Sequence, residues 1–452
     1  MCNLRLLRGT CLAFGFILMA WIDSAQALPA FARQTGMACA ACHVSFPELT
    51  PFGRLFKLSG YTLGTAQKIP FAAMLIGSNT QIANTGGQNG NFPRNNEPVL
   101  EGGSVFLAGK INDHIGMFSQ WTENNLTATS APDGSTSYRA SFAIDNNDWR
   151  IADHISKQDL DLIYGLTLNN NPTVQDVWNS TPAFAYPFQS SSLAGSWGYT
   201  PPAPLISGGL AHQVAGVSAY GFLNKHWYLE LGSYQAAEGT FSILSHEVAY
   251  TNRLQGNNPY WRLAYSTDWG VNSLSFGTFG LAAKVYSDPN NPGSPTNRYL
   301  DQGVDLQYQY LSDPNIFTTQ LSYITEHSYW DSSLVNSGTV QNAGDTLNSF
   351  QAKASYWYQR TYGLTLSYFN ITGSSDLGLY QSDPTVPQYS ATGSPNTNGF
   401  IAELNYMIQP NWRVGLQYID YRRFMGASTN YDGNGRNAKD NNTTYLYTWV
   451  VF

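Results

Sequence analysis

Cys39 and Cys42 stand one helical turn apart, and His43 follows at once. Two thiols and an imidazole in a C-x-x-C-H pentad form the attachment signature of a c-type haem. In that chemistry the thiols become thioethers on the porphyrin vinyl groups and the imidazole ligates the iron from one side. The same spacing serves zinc half-sites and redox-active dithiols, but these need a second ligand pair or a resolving thiol. The only other cysteines are Cys2 and Cys11, and both fall in an N-terminal segment with the character of a signal peptide. The pentad therefore reads as one covalent haem c per chain, held by Cys39, Cys42 and His43.

Residues 1–27 have the build of a secretory signal. Arg5 and Arg8 precede an apolar run from Leu12 to Ile22, and Ala25-Gln26-Ala27 supplies small residues for cleavage. Its removal takes Lys+Arg from 23 to 21 and Asp+Glu from 30 to 29, a net charge of −8. An acidic balance of this size excludes nucleic acid as the natural partner. No later apolar run approaches the roughly 20 residues of a membrane-spanning helix. Yet aromatic residues make up 14% of the chain and charged residues only 12%, where a soluble domain carries about 25% charged residues. Something other than water faces much of the surface.

The pentad needs elements to position it. Thr50 is placed to cap a helix opening on Pro51, and Gly60 stands where that helix would stop. Phe52, Leu55 and Phe56, three and four residues apart, form a stripe that would cover either a porphyrin or other protein. Residues 28–66, the monohaem segment, lie near the ~40-residue length below which a chain rarely folds without staples. The segment is expected to lean on the remainder of the chain.

From residue 67 to 452 the pattern is short alternating runs. Between Val304 and Tyr310 one face carries Val304, Leu306, Tyr308 and Tyr310, and the other Asp305, Gln307 and Gln309. That is strand periodicity, and it recurs in 350–358, 362–368 and 412–418. Sixteen antiparallel strands are expected near 69–84, 98–111, 115–125, 140–152, 158–169, 208–222, 226–236, 259–269, 273–286, 299–311, 315–326, 348–358, 361–371, 398–408, 411–423 and 442–452. Tight turns such as Asn224-Lys225 and Gln359-Arg360 alternate with long loops rich in Asn, Gly, Ser and Pro, and the chain ends in a strand closing on Phe452. The fold class is mainly β: an outer-membrane barrel preceded by a short α-helical haem segment. A soluble sandwich would put charge, rather than Tyr and Trp, on its wet face. With the haem segment facing the periplasm or the barrel lumen, sixteen crossings put both ends of the barrel on the periplasmic side. The connection from Asn170 to Ser207 carries Trp178, Phe184, Tyr186, Phe188 and Trp197 and is expected to fold into the lumen.

The stretches Leu28-Pro-Ala-Phe-Ala-Arg-Gln-Thr-Gly36, Cys39-Ala-Ala-Cys-His43, Pro47-Glu-Leu-Thr-Pro-Phe-Gly-Arg54 and Lys57-Leu-Ser-Gly-Tyr61 resemble the fused monohaem cytochrome–porins of bacterial outer membranes. Asn171-Pro-Thr-Val-Gln-Asp-Val-Trp178 looks like a segment of the same family. The resemblance implies an electron conduit taking electrons from extracellular Fe(II) to a periplasmic c-type cytochrome or other carrier, a one-electron Fe(II):cytochrome c oxidoreductase. Two alternatives stand beside it: a passive porin with a docking or sensing haem segment, and a conduit for a donor other than iron. Peroxidase chemistry would need an open iron site with a distal acid or base, and no such pair is legible.

The sixth ligand is left among Met74, His114, Met117 or none; Met37 lies too close to Cys39 to reach the far haem face. Asp331, Asp376, Asp383, Asp432 and Asp440 fall on long loops, where carboxylates suit Fe(II) but ordinarily stay solvated. Glu230, Asp305, Lys353, Glu403 and Arg413 are expected to line the lumen and steer cations weakly.

Overall fold

The structure, a computed structural model, describes residues 29–86, 94–130, 136–196, 198–245, 250–381 and 386–452, with 124–130 and 136–141 described by backbone only. The signal segment 1–27, Trp197 and Asp383 lie outside the described residues.

Polar side chains point inward and apolar ones outward along much of the wall, with inward aromatic and aliphatic clusters filling the rest. In Thr296–Ser312, Val304 is 55% exposed while Gln307 and Gln309 are 1% and 0% exposed. Leu231, Leu366, Leu404 and Leu416 stand outward in the same way. Such inversion of a soluble protein's pattern suits a wall with lipid outside. Trp227, Trp269, Tyr358, Tyr362 and Tyr406 form an exposed aromatic girdle near the tight turns, the place where amphipathic rings meet a membrane interface.

Sixteen strands close into one barrel. They are β1 (Phe71–Ile82), β2 (Pro98–Lys110), β3 (Ile115–Ser130), β4 (Thr136–Lys157), β5 (Leu160–Asn169), β6 (Val214–Leu223), β7 (Trp227–Ala236) and β8 (Asn258–Trp269). The second half comprises β9 (Asn272–Tyr286), β10 (Thr296–Ser312), β11 (Asn315–Tyr329), β12 (Gly344–Tyr358), β13 (Tyr362–Gly373), β14 (Thr397–Gln409), β15 (Trp412–Arg423) and β16 (Thr443–Val451). Each pairs antiparallel with its neighbour, and β16 closes on β1 from Thr443↔Ile82 to Val451↔Met74. Backbone bonds between Phe452 and Ala73 (2.6 and 2.8 Å) finish the seam. Closure leaves no strand edge unpaired in lipid. Among the described residues no helix is long and apolar enough to cross a membrane.

All sixteen expected strands are present. β6 begins at Val214 rather than near 208, because Gly208 (φ +114°) breaks the chain and Leu205, Ile206 and Leu210 turn into the lumen, where they are buried. The connection between β5 and β6 does fold inward. Val174, Val177 and Trp178 are at most 1% exposed. Gln307 of β10 donates to the Trp178 carbonyl (2.8 Å) and Gln320 of β11 to that of Asn179 (3.1 Å).

Candidate functional site

The N-terminal segment sits inside the barrel at the tight-turn end. Three short helices build it: α1 (Ala30–Thr35), α2 (Cys39–Cys42) and α3 (Pro51–Leu58). Gly36, at φ +69°, caps α1 and frees the chain to enter α2. Thr50 caps α3 as expected: its Oγ1 accepts the Gly53 N–H at 3.2 Å, Pro51 holds the first position, and Gly60 (φ +69°) follows the end. Such a cap contributes about 1 kcal/mol. The Thr50 hydroxyl also donates to the Ala41 carbonyl (2.6 Å), and its N–H to that of Cys42 (2.9 Å). One residue thus fixes α3 against the C-x-x-C turn. Gly53 allows the contact, since a Cβ there would stand 2.2 Å from the Cys42 carbonyl oxygen.

Wall residues hold this unit from several sides. Lys353 on β12 pairs with Glu48 at 2.6 Å, both side chains 1% exposed. Arg54 donates to Gln309 (2.9 Å) and Gln307 (3.2 Å) on β10 and also bonds Ser273 on β9. Tyr61 donates to Asp148 on β4 (2.6 Å), and Tyr220 on β6 donates to the Leu58 carbonyl (2.7 Å). Arg413 on β15 donates to the Phe46 carbonyl (3.2 Å). The in-folded loop adds a lid: Lys57 donates to the carbonyls of Val174 (2.6 Å) and Asp176 (3.0 Å), and Asn179 to that of Pro47 (2.7 Å). The segment leans on the barrel throughout, as its length requires.

His43 opens a short hairpin, His43–Ser45 against Glu48–Leu49. Its imidazole meets three cavities. The largest, about 830 Å³, is walled by His43, Phe106, Phe118, Phe184, Phe188 and Trp449, together with Met74. A second, about 180 Å³, shares Phe31, His43, Pro47, Phe118 and Phe184 with the first and adds Cys42 and Phe56. The third, about 280 Å³, is bordered by Cys39, His43 and Met407. Burial pushes the His43 pKa down to about 4, against an opposing pull from the Pro47 and Glu48 backbone. The ring is neutral at pH 7, and its buried Nδ1 has no hydrogen-bond partner. Burial raises both thiols, Cys42 to about 11 with help from Cys39, and neither is in a disulfide. Burial also lowers Lys57 to about 8 and Arg54 to about 10.

The residues fit a porphyrin in three respects. The two thiols and the imidazole are adjacent, neither thiol is in a disulfide, and the largest cavity that His43 borders lies within the ~300–1,000 Å³ of cofactor sites. Among the described residues no group of three or more His, Cys, Asp or Glu could cage a bare metal ion.

Several expectations need correction. Phe56 alone of the helix stripe reaches the Cys42–His43 cavity; Phe52 and Leu55 border a separate cavity and Leu55 is exposed, because neighbouring Arg54 and Lys57 pin α3 to the wall and loop. The wall charges do not line an open channel. Asp305 binds Arg262 (2.9 Å), Lys353 and Arg413 hold the segment, Glu403 accepts from Gln417 (2.7 Å), and Glu230 accepts from Tyr228 (2.8 Å). The loop aspartates are structural: Asp331 and Asp376 cap short helices, with Asp376 fully buried, Asp432 accepts from Arg436 N–H (3.0 Å), and Asp440 closes a capping box with Asn437. His114 lies on a turn with its side chain 61% exposed, 3.7 Å from Asp153. Met117 sits next to Phe118, whose ring faces the cavity, so strand alternation turns Met117 to the outer face. Sequence reasoning missed Glu48 and Arg54; a charged residue on the otherwise largely apolar helix α3 was the available signal for Arg54, whereas Glu48, on the short hairpin strand, had none.

No family model matches the chain, and no curated protein matches it. Solved structures with similar backbones include the anion-selective porin of Comamonas acidovorans (11% identity, TM-score 0.44, covering 84% of this chain and 98% of that one). The outer membrane channel DcaP of Acinetobacter baumannii gives 11% identity and TM-score 0.44 over 84% and 96%. Outer-membrane-expressed OmpT of Vibrio cholerae gives 9% identity and TM-score 0.41 over 84% and 97%. From its own strand count, turn alternation and in-folded loop, this is a porin-like barrel.

Proposed function

We propose that the chain carries one haem c on Cys39 and Cys42, with His43 as axial ligand, inside an outer-membrane barrel. Its function on this reading is to pass single electrons from extracellular Fe(II) to a periplasmic c-type cytochrome or similar carrier. The observation that carries the reading is the position of the Cys39–His43 unit: it is held within the lumen by Glu48–Lys353, Arg54 and Lys57. A redox centre docked outside the barrel would leave the ~30 Å hydrocarbon thickness between donor and acceptor; one inside the wall shortens that gap.

Bound haem would supply a reversible one-electron couple. The chain's residues do the rest. His43 is kept neutral, with a lone pair to donate. Phe31, Phe106, Phe118, Phe184 and Phe188 give the cavity an apolar side, while Glu101, Gln120 and Asp145 border it with polar groups; that balance would set potential through the local dielectric. α3 is clamped on α2 through Thr50 and Gly53, so the thiols hold one geometry. A Gly53→Ala variant should cost about 1–3 kcal/mol of local stability through overpacking and sharply lower the haem retained per folded barrel. An unchanged haem-to-protein ratio would refute that role.

A second reading, a passive porin carrying a docked haem segment, is favoured by the barrel architecture itself. Reduction separates the two. Purified oxidised protein should give a c-type pyridine haemochrome and convert to the ferrous spectrum with Fe(II); a haem that Fe(II) cannot reduce leaves the porin reading as the better one.

A further inference from the structure

We infer that Met74 is the second axial ligand of the iron, opposite His43. This rests on the proposed haem attachment and extends it to a residue that the attachment motif does not specify. Of seven methionines in the chain, Met37, Met74, Met117, Met407 and Met425 lie among the described residues. A ligand opposite His43 must share a cavity with it and face inward.

Met74 does both. The β1 pattern alternates, Met74 is 8% exposed on its inner face, and it is registered against Ser104 on one side and Val451 on the other. It walls the same 830 Å³ cavity as His43. Phe46 links the two walls: its ring lies 5.3 Å from that of His43 and 6.0 Å from that of Trp449, which packs in one apolar cluster with Met74.

The others fail on position. Met37 is exposed and two residues from Cys39, Met117 faces outward, and Met425 is buried at the long-loop end against Tyr421 and Phe424. Met407 does border His43, but in the smaller cavity beside the Gln359–Arg360 turn, apart from the phenylalanine cluster that walls the larger one. Among the imidazoles, His114 and His154 are half or more exposed and sit beside Asp153 and Asp161.

Ligation by a thioether is donation of a sulfur lone pair, with no change of oxidation state. Its consequence is a potential higher than that of a bis-histidine haem, which suits a donor as weakly reducing as Fe(II).

The ferric wild-type protein should show a low-spin haem with the sulfur-to-iron charge-transfer band at the red end of the visible spectrum. Met74→Leu should abolish that band, convert the haem to high spin and turn carbon monoxide binding to the ferrous form from slight to stoichiometric. Met407→Leu should leave all three unchanged. If Met74→Leu does not accumulate, Met74→His serves, with the band lost, low spin kept and the potential lowered. A wild-type protein with a c-type haemochrome but no band overturns Met74 alone, as does a band that survives Met74→Leu or vanishes in Met407→Leu. A chain with no covalent haem overturns the underlying reading as well.

Discussion

Replacing Lys353 by Met should unseat the N-terminal segment and raise the ionic conductance of the barrel in planar bilayers by an order of magnitude or more. Lys353 Nζ stands 2.6 Å from Glu48 Oε2, with both side chains 1% exposed. The ammonium also lies over the rings of Phe188 (4.9 Å) and Tyr186 (6.0 Å), which belong to the in-folded loop. One cation thus ties the wall to both layers of the plug. Removing it leaves the Glu48 carboxylate buried, with a long 3.4 Å contact from Gln309 and the more distant charge of Arg54. Breaking a buried pair from one side costs about 3–5 kcal/mol, enough to shift a seated segment toward release by a factor of ~10² or more. Adding Glu48→Gln removes the stranded charge and should restore most of the wild-type conductance. Equal conductance in wild type and Lys353→Met would show that the pair does not seat the segment.

The Cys39→Ala, Cys42→Ala double variant should lose haem completely to acid-acetone extraction while the barrel survives. Both thiols lie on the one turn of α2, and neither contributes to the strand ladders. The barrel's stability resides in its sixteen paired strands, so electrophoretic migration should still differ between unheated and boiled samples. Haem that extracts from wild-type protein, or that resists extraction from the double variant, would contradict thioether attachment at these positions.

The wall was legible because its code is local. Val304 to Tyr310 states the in-out alternation within seven residues, and every expected strand has its counterpart, with edges shifted where glycine or an apolar loop intervenes, as at Gly208. Thr50, Pro51 and Gly60 likewise carried enough local chemistry to place α3. What the sequence could not reveal is pairing across the lumen. Lys353 lies 305 residues from Glu48, and Gln309 lies 255 from Arg54; nothing near either partner states the match. For that reason Lys353 and Arg413 read as channel-lining charges, and Asp376 as a solvated loop carboxylate, when each is buried and bonded. The Cys39–His43 pentad states its candidate chemistry within five residues, whereas its position inside the wall rests on those distant contacts.

That position is what an electron conduit needs, and sided reduction tests it most directly. Haem-loaded protein reconstituted in liposomes of one orientation should turn ferrous when Fe(II) is added on the long-loop side, with an impermeant iron chelator on the other. The reaction should be lost in a His43 variant that keeps its covalent haem. Reduction only by reagents added on the tight-turn side, or none from Fe(II) on the long-loop side, would contradict the conduit.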